Sequence, residues 1–179
     1  MKYTLEIQKR LLQVENGNLS PHEKALLLKE AIRIADENDD PQWAVEMRLD
    51  LIYELNLLSQ AEEEIAVFSR ILDDYENNKD LISENDILWK YKWICGAAFD
   101  VPEVSQSQID AILEDFKIRT LRNGYSARAY YHLLFLHYNR MRQYDLAKEY
   151  ADKMLSEKLD DMMCEACELN LLLDYYLET

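Results

Sequence analysis

Two cysteines three residues apart, Cys164 and Cys167, have the types and spacing that could do chemistry. On one helix they share a face and offer half of a structural zinc site. A full site takes four ligands, and the sequence holds no second C-x-x-C and no spaced histidine pair to complete it. Free cysteines more often serve as small apolar side chains, and in that role both fill the core stripe of the last helix. The alternative is an inter-chain site with two thiols from each of two copies. A nucleophilic cysteine would need a histidine and an orienting carboxylate or amide. His132 and His137 are five apart, roughly 140° around a helix from one another, so one pocket cannot take both from that element. His22 falls at an exposed helix start. The acid pairs Asp73-Asp74 and Asp160-Asp161 sit near helix ends, where solvated capping is their ordinary role. No glycine-rich loop cradles phosphate. No site assembles, so a non-enzymatic protein without cofactor or metal is expected.

The elements that would position these residues are helices. With 49% apolar residues in 179, the chain can bury a substantial core, and a single domain over 1–179 is expected. Only 3 Gly and 3 Pro leave little turn chemistry for β-hairpins, and no stretch alternates apolar and polar residues as a half-buried strand must. The fold class is therefore all-α. Lys and Arg number 20 against 35 Asp and Glu, a formal charge of -15. That field repels phosphate backbones and anionic headgroups, which argues against nucleic-acid and membrane partners. The N-terminal MKYTLEIQKRLLQ is charged every few residues and lacks a signal-peptide apolar run. No apolar run approaches spanning length, and three cysteines are an odd number, so a cytoplasmic protein with reduced thiols is expected.

Nine helical stripes follow in order. The first runs from about Tyr3 to Glu15 with Leu5, Leu12 and either Ile7 or Leu11 on its buried side. Ser20-Pro21-His22-Glu23 opens the second through a capping box and carries Ala25, Leu28, Ala31, Ile32 and Ala35 inward. Pro41 opens the third, with Val45, Leu51, Ile52 and Leu55. Ser59-Gln60-Ala61-Glu62 reads as a second capping box, for a fourth helix packed through Ile65, Phe68, Ile71 and Leu72. Ser83 or Asn85 caps the fifth. Ser105 with Gln108 caps the sixth, whose inner residues are Ile109, Ile112, Leu113, Phe116 and Ile118 or Leu121, and Gly124 ends it as a left-handed cap. Helices seven and eight place Tyr131, Leu134 and Tyr138 against Ala147, Ala151 and Met154, joined by a tight return at Arg140 to Gln143. The ninth runs from about Asp161 to Leu177.

The seventh and eighth stripes, an aromatic, Leu three on, Tyr four further and then Tyr144-Asp145-x-Ala147, resemble a tetratricopeptide repeat. The third and fourth resemble a degenerate copy, with Arg48 where the repeat prefers an aromatic and Glu64 where it prefers Ala. Phe135 stands where the family has Gly or Ala, and the ending around Cys164 to Leu169 is similar to bacterial proteins of this type. The resemblance implies a right-handed α-solenoid of about four antiparallel hairpins plus a C-terminal helix. It also implies that Tyr53, Asn56, Lys92, His132 and Asn139 line a concave groove for a peptide or helix.

The function this supports is a protein-interaction module or scaffold. The alternative is an acidic inhibitor, or immunity-type protein, that neutralises a basic toxin or nuclease. The ninth stripe is apolar over more of its circumference than one neighbouring hairpin covers. Leu169, Leu172, Leu173 and Tyr176 are thus candidates for a partner face or for a homodimer about a two-fold axis.

Overall fold

Every hydrophobic stripe of the sequence folds as a helix. A computed structural model describes residues 2–179, and among them there is no strand. The elements are α1 (Lys2–Asn16), α2 (Pro21–Glu37), α3 (Pro41–Leu57), α4 (Ala61–Asn77), α5 (Glu84–Ala98), α6 (Gln106–Arg122), α7 (Arg128–Arg140), α8 (Tyr144–Ser156) and α9 (Glu165–Glu178). No helix among the described residues is long and apolar enough to cross a membrane. The helices group into two compact units, one up to Lys90 and one from Tyr91.

In the first unit α1 packs on α2, α2 on α3 and α3 on α4. The core is Ala25, Leu28, Ala31 and Ala35 of α2 against Ala44, Met47, Leu51 and Leu55 of α3, with Ile7 reaching in from α1. The expectation that Leu5 and Leu12 are buried is corrected, since both are exposed. A helix packed mainly on one neighbour buries a narrow stripe. Ile7, joined by Tyr3, Leu11 and Val14, forms that stripe at three- and four-residue steps, while Leu5 and Leu12 lie on the other side. Arg48 is buried on α3 and ties three helices together, donating from Nη2 to both oxygens of Asp36 on α2 at 2.8 Å and from Nη1 to Asp74 on α4 at 2.9 Å.

In the second unit α7 packs against α8, and α6 and α9 each pack on α7. Tyr150 of α8 stacks on Tyr138 of α7 at 5.3 Å between ring centroids and on Tyr131 at 6.3 Å. Phe135, in place of a small residue, is fully buried and meets Tyr175 of α9 edge to face at 5.6 Å. On α6 neither Ile118 nor Leu121 is buried as expected. Thr120 takes the inward position and its hydroxyl donates to the Phe116 carbonyl at 2.7 Å, which satisfies it in an apolar setting.

Helix ends explain much of this regularity. Ser20 and Glu23 close the capping box at α2, and Ser105 and Gln108 the one at α6. Ser83 caps α5, accepting from the Asp86 N–H at 3.1 Å. The expected box at Ser59 does not form. Ser59 takes a left-handed conformation (φ 54°) to leave α3, so Gln60 becomes the N-cap of α4 and makes no side-chain cap bond. The same geometry recurs at Asp39, Gly124 and Arg142. At all four turns the next residue's N–H reaches five residues back, as from Gln60 to the Leu55 carbonyl and from Gln143 to the Tyr138 carbonyl, both the longer bond of a Schellman motif.

Candidate functional site

The polar interior of the second unit converges on the start of α9. The segment leading into that helix is pinned at several points to α7 and α5. Asp160 accepts from the Ser126 N–H at 2.6 Å and the Met162 N–H at 3.1 Å, and the Ser126 hydroxyl donates to the Lys158 carbonyl at 2.8 Å. Within this segment Met162 and Met163 are buried. Arg128, at the first turn of α7, donates from Nη1 to the Glu157 carbonyl at 2.6 Å. Its Nε and Nη2 grip both oxygens of Glu168 at 2.7 Å, and both partners of that fork are buried.

Lys92 of α5 reaches the same place, donating from Nζ to the Met162 carbonyl at 2.6 Å. Burial pushes its ammonium down to a pKa of about 8, against the pull of Cys167, Cys164 and Asp160. His132 of α7 lies near Lys92. Burial first, and that cation second, push its imidazole down to about 4, so it is neutral. Among the described residues its Nδ1 is buried without a hydrogen-bond partner. Three basic side chains thus gather around one buried carboxylate, and one of them, Lys92, also feels the two thiols.

The thiols sit differently from expectation. α9 begins at Glu165 rather than Asp161, so Cys164 is the N-cap in extended conformation (φ -103°, ψ 108°) and Cys167 the third helical residue. The Cys164 sulfur accepts from the Cys167 N–H at 3.4 Å. Neither is a core filler, because Cys164 is half-buried and Cys167 exposed. The bond from Cys167 and the two backbone N–H groups hold the Cys164 thiol below the usual thiol range. Donation to Cys164 and partial burial hold that of Cys167 above it. Cys95 is fully buried on α5. Among the described residues no group of three or more His, Cys, Asp and Glu is placed to hold a metal ion.

The residues expected to line a groove are found in different settings. Tyr53 and Asn56 belong to the first unit, both exposed, and Asn56 donates to Glu64 at 3.5 Å. Lys92 and His132 are brought together in the second unit, turned toward the start of α9. Asn139 is buried, with its Oδ1 unpartnered among the described residues, and is no solvated groove residue. His137 is likewise buried, with its ring 4.6 Å from that of Phe99. On α9 the helix turns Glu168, Leu171 and Tyr175 inward, while Leu169, Leu173, Tyr176 and Leu177 are 57–76% exposed; Leu172 is half-buried. Arg128 and Glu168 were not anticipated. The available signal was Glu168 standing in the stripe it forms with Leu171 and Tyr175, at steps of three and four.

Comparison with protein-family models, with curated proteins and with solved structures returned no match to this chain.

Proposed function

We propose that this chain is a non-enzymatic protein-interaction module built from tetratricopeptide-like hairpins in a right-handed α-solenoid, and that α9 is its docking helix. One observation carries the reading. Leu169, Leu173, Tyr176 and Leu177 recur at steps of three and four on the side of α9 turned away from Leu171 and Tyr175, and stay exposed. That spacing is what an apolar helix face engages when it lies alongside. The four turns of shared geometry and the stacked Tyr131, Tyr138 and Tyr150 support a hairpin array.

Charge selects the occupant. Outside its buried face α9 carries Glu165, Asp174 and Glu178, and it has no basic residue. Two copies of this helix in contact would bring acids together, whereas an amphipathic helix with Lys or Arg flanking its apolar stripe meets opposite charge. The occupant is therefore a basic amphipathic helix of a partner protein rather than a second copy. A Leu/Lys amphipathic peptide labelled for fluorescence anisotropy tests this. Saturable binding is expected, with loss of at least tenfold in affinity for Leu173→Glu/Tyr176→Glu and unchanged helicity by circular dichroism. Binding that ignores the double substitution sinks the reading. A chain found dimeric by light scattering, and turned monomeric by the same substitutions, assigns the face to a second copy instead.

The net charge of -15 favours a second reading, an acidic inhibitor of a basic toxin or nuclease. Salt separates the two. An inhibitor working by surface charge loses on-rate steeply as ionic strength rises, while a helix held by Leu and Tyr anchors changes little.

A further inference from the structure

The first turn of α9 places two sulfurs where this protein elsewhere places a reciprocal cap. In the two capping boxes the N-cap and third helical side chains touch: Ser20 Oγ lies 2.7 Å from Glu23 Oε2, and Ser105 Oγ 2.8 Å from Gln108 Oε1. Cys164 and Cys167 occupy those same two positions of α9. Along a helix interior, side chains three apart hold their Cβ atoms about 5–6 Å from each other, longer than the roughly 3.5–4.5 Å of a disulfide. At an N-cap the extended backbone folds the first side chain back over the turn, and here the Cys164 sulfur already rests on the Cys167 N–H. The pair is open to solvent on the Cys167 side, and the Lys92 ammonium stands nearby, held by the Met162 carbonyl.

We propose that Cys164 and Cys167 form a reversible dithiol site that exchanges with low-molecular-weight disulfides, with Cys164 the attacking thiol and Cys167 the resolving one. The helix N-terminus and Lys92 both favour negative charge on the Cys164 sulfur. In the first step the Cys164 thiolate forms a bond to one sulfur of the small disulfide. The S–S bond of that disulfide breaks, and one thiolate leaves and takes a proton from solvent. In the second step Cys167 gives up its proton and attacks the Cys164 sulfur, forming the protein disulfide and expelling the second thiol. Two electrons pass from the protein dithiol to the small disulfide, which becomes two thiols. Cys95, buried in α5, takes no part.

Oxidised glutathione is the probe, added to the reduced full chain under anaerobic conditions, with alkylation and peptide mass mapping as the readout. The expected product is a bond between Cys164 and Cys167 within one chain, with two glutathione molecules released and Cys95 still alkylated only after unfolding. Cys167→Ser is expected to trap one glutathione per chain on Cys164, and Cys164→Ser to lose the intramolecular product entirely. Lys92→Met slows the first step while leaving the trapped species the same. Because both cysteines lie outside the core, circular dichroism of the serine variants should match the parent. Independent glutathionylation of both cysteines without a bond between them overturns the proposal. So do disulfides that join only separate chains, and so does a zinc ion shared between two chains that blocks alkylation of both thiols.

Discussion

Arg48 of α3 and Arg128 of α7 are both buried arginines, and they are answered in opposite ways. Arg48 stands between two carboxylates, Asp36 and Asp74, whose side chains are 45% and 12% exposed. Arg128 has one, Glu168, at 2%. In the first unit one buried arginine is met by two carboxylates, Asp36 half in water and Asp74 shared with Arg70 at 3.4 Å. In the second, Arg128, Lys92 and His132 share one buried carboxylate. A buried charge is tolerated only while its partner stays, so the two arginines make their units sensitive to different losses. Burial first, with Lys92 and Arg128 adding to it, keeps His132 neutral, and Lys92 also favours a negative sulfur at Cys164.

The comparison is broken most directly at Glu168. Glu168→Gln leaves the guanidinium of Arg128 buried beside a neutral amide and is expected to cost about 3–5 kcal/mol of stability, read by urea unfolding. A loss under about 1 kcal/mol would show that water reaches the pair, as at an exposed ion pair.

His132 gives the next effect, through pH. Its folded value is depressed to about 4, below the usual 6.5. Between pH 6.5 and 4 the unfolded chain therefore binds a proton that the fold refuses. The stability contributed by neutral His132 is present above pH 6.5 and is lost as pH falls toward 4, by up to about 3 kcal/mol. His132→Gln should remove that part of the acid sensitivity, measured as the difference between the two stability curves. Parallel curves would show that His132 is protonated in the fold.

The smallest effects sharpen the Arg48 side. Asp74→Asn is expected to cost about 1.5–3 kcal/mol, the range for a hydrogen bond to a charged group. Asp36→Asn should stay within about 1 kcal/mol because its carboxylate is half in water. Equal costs in thermal unfolding would mean that exposure does not rank the two.

What was legible in the sequence was what repeats locally. The stripes Ala25 to Ala35 and Val45 to Leu55, and the boxes at Ser20 and Ser105, carry their signal within a few residues. Three features were not local. Leu5 and Leu12 look buried until it is known that α1 has packing on one side alone. Ser59 matches a capping box in spacing, yet the turn out of α3 claims that residue for a left-handed conformation and moves the cap one place on. The start of α9 is set by Ser126, Lys92 and Arg128, which hold the segment before it from far away in sequence. For the candidate site, the C-x-x-C spacing was visible and its position on a helix cap was not. The repeat resemblance puts Lys92 and His132 on a groove and carries no sign of the inward direction that brings them together beside Glu168. Arg128 and Glu168, 40 residues apart, leave no periodic trace except a charge in an apolar stripe.

The four left-handed turns have a consequence for how this protein tolerates change. Only one of them, at residue 124, uses glycine; Ser59 and Arg142 hold side chains in a backbone conformation that glycine adopts without steric penalty. Those two positions are natural places for second-site suppressors. Glycine there relieves strain with no alteration to α9, so a variant weakened at its cysteines or its apolar face can be restored to the parent's stability while the lesion itself stays in place to be studied.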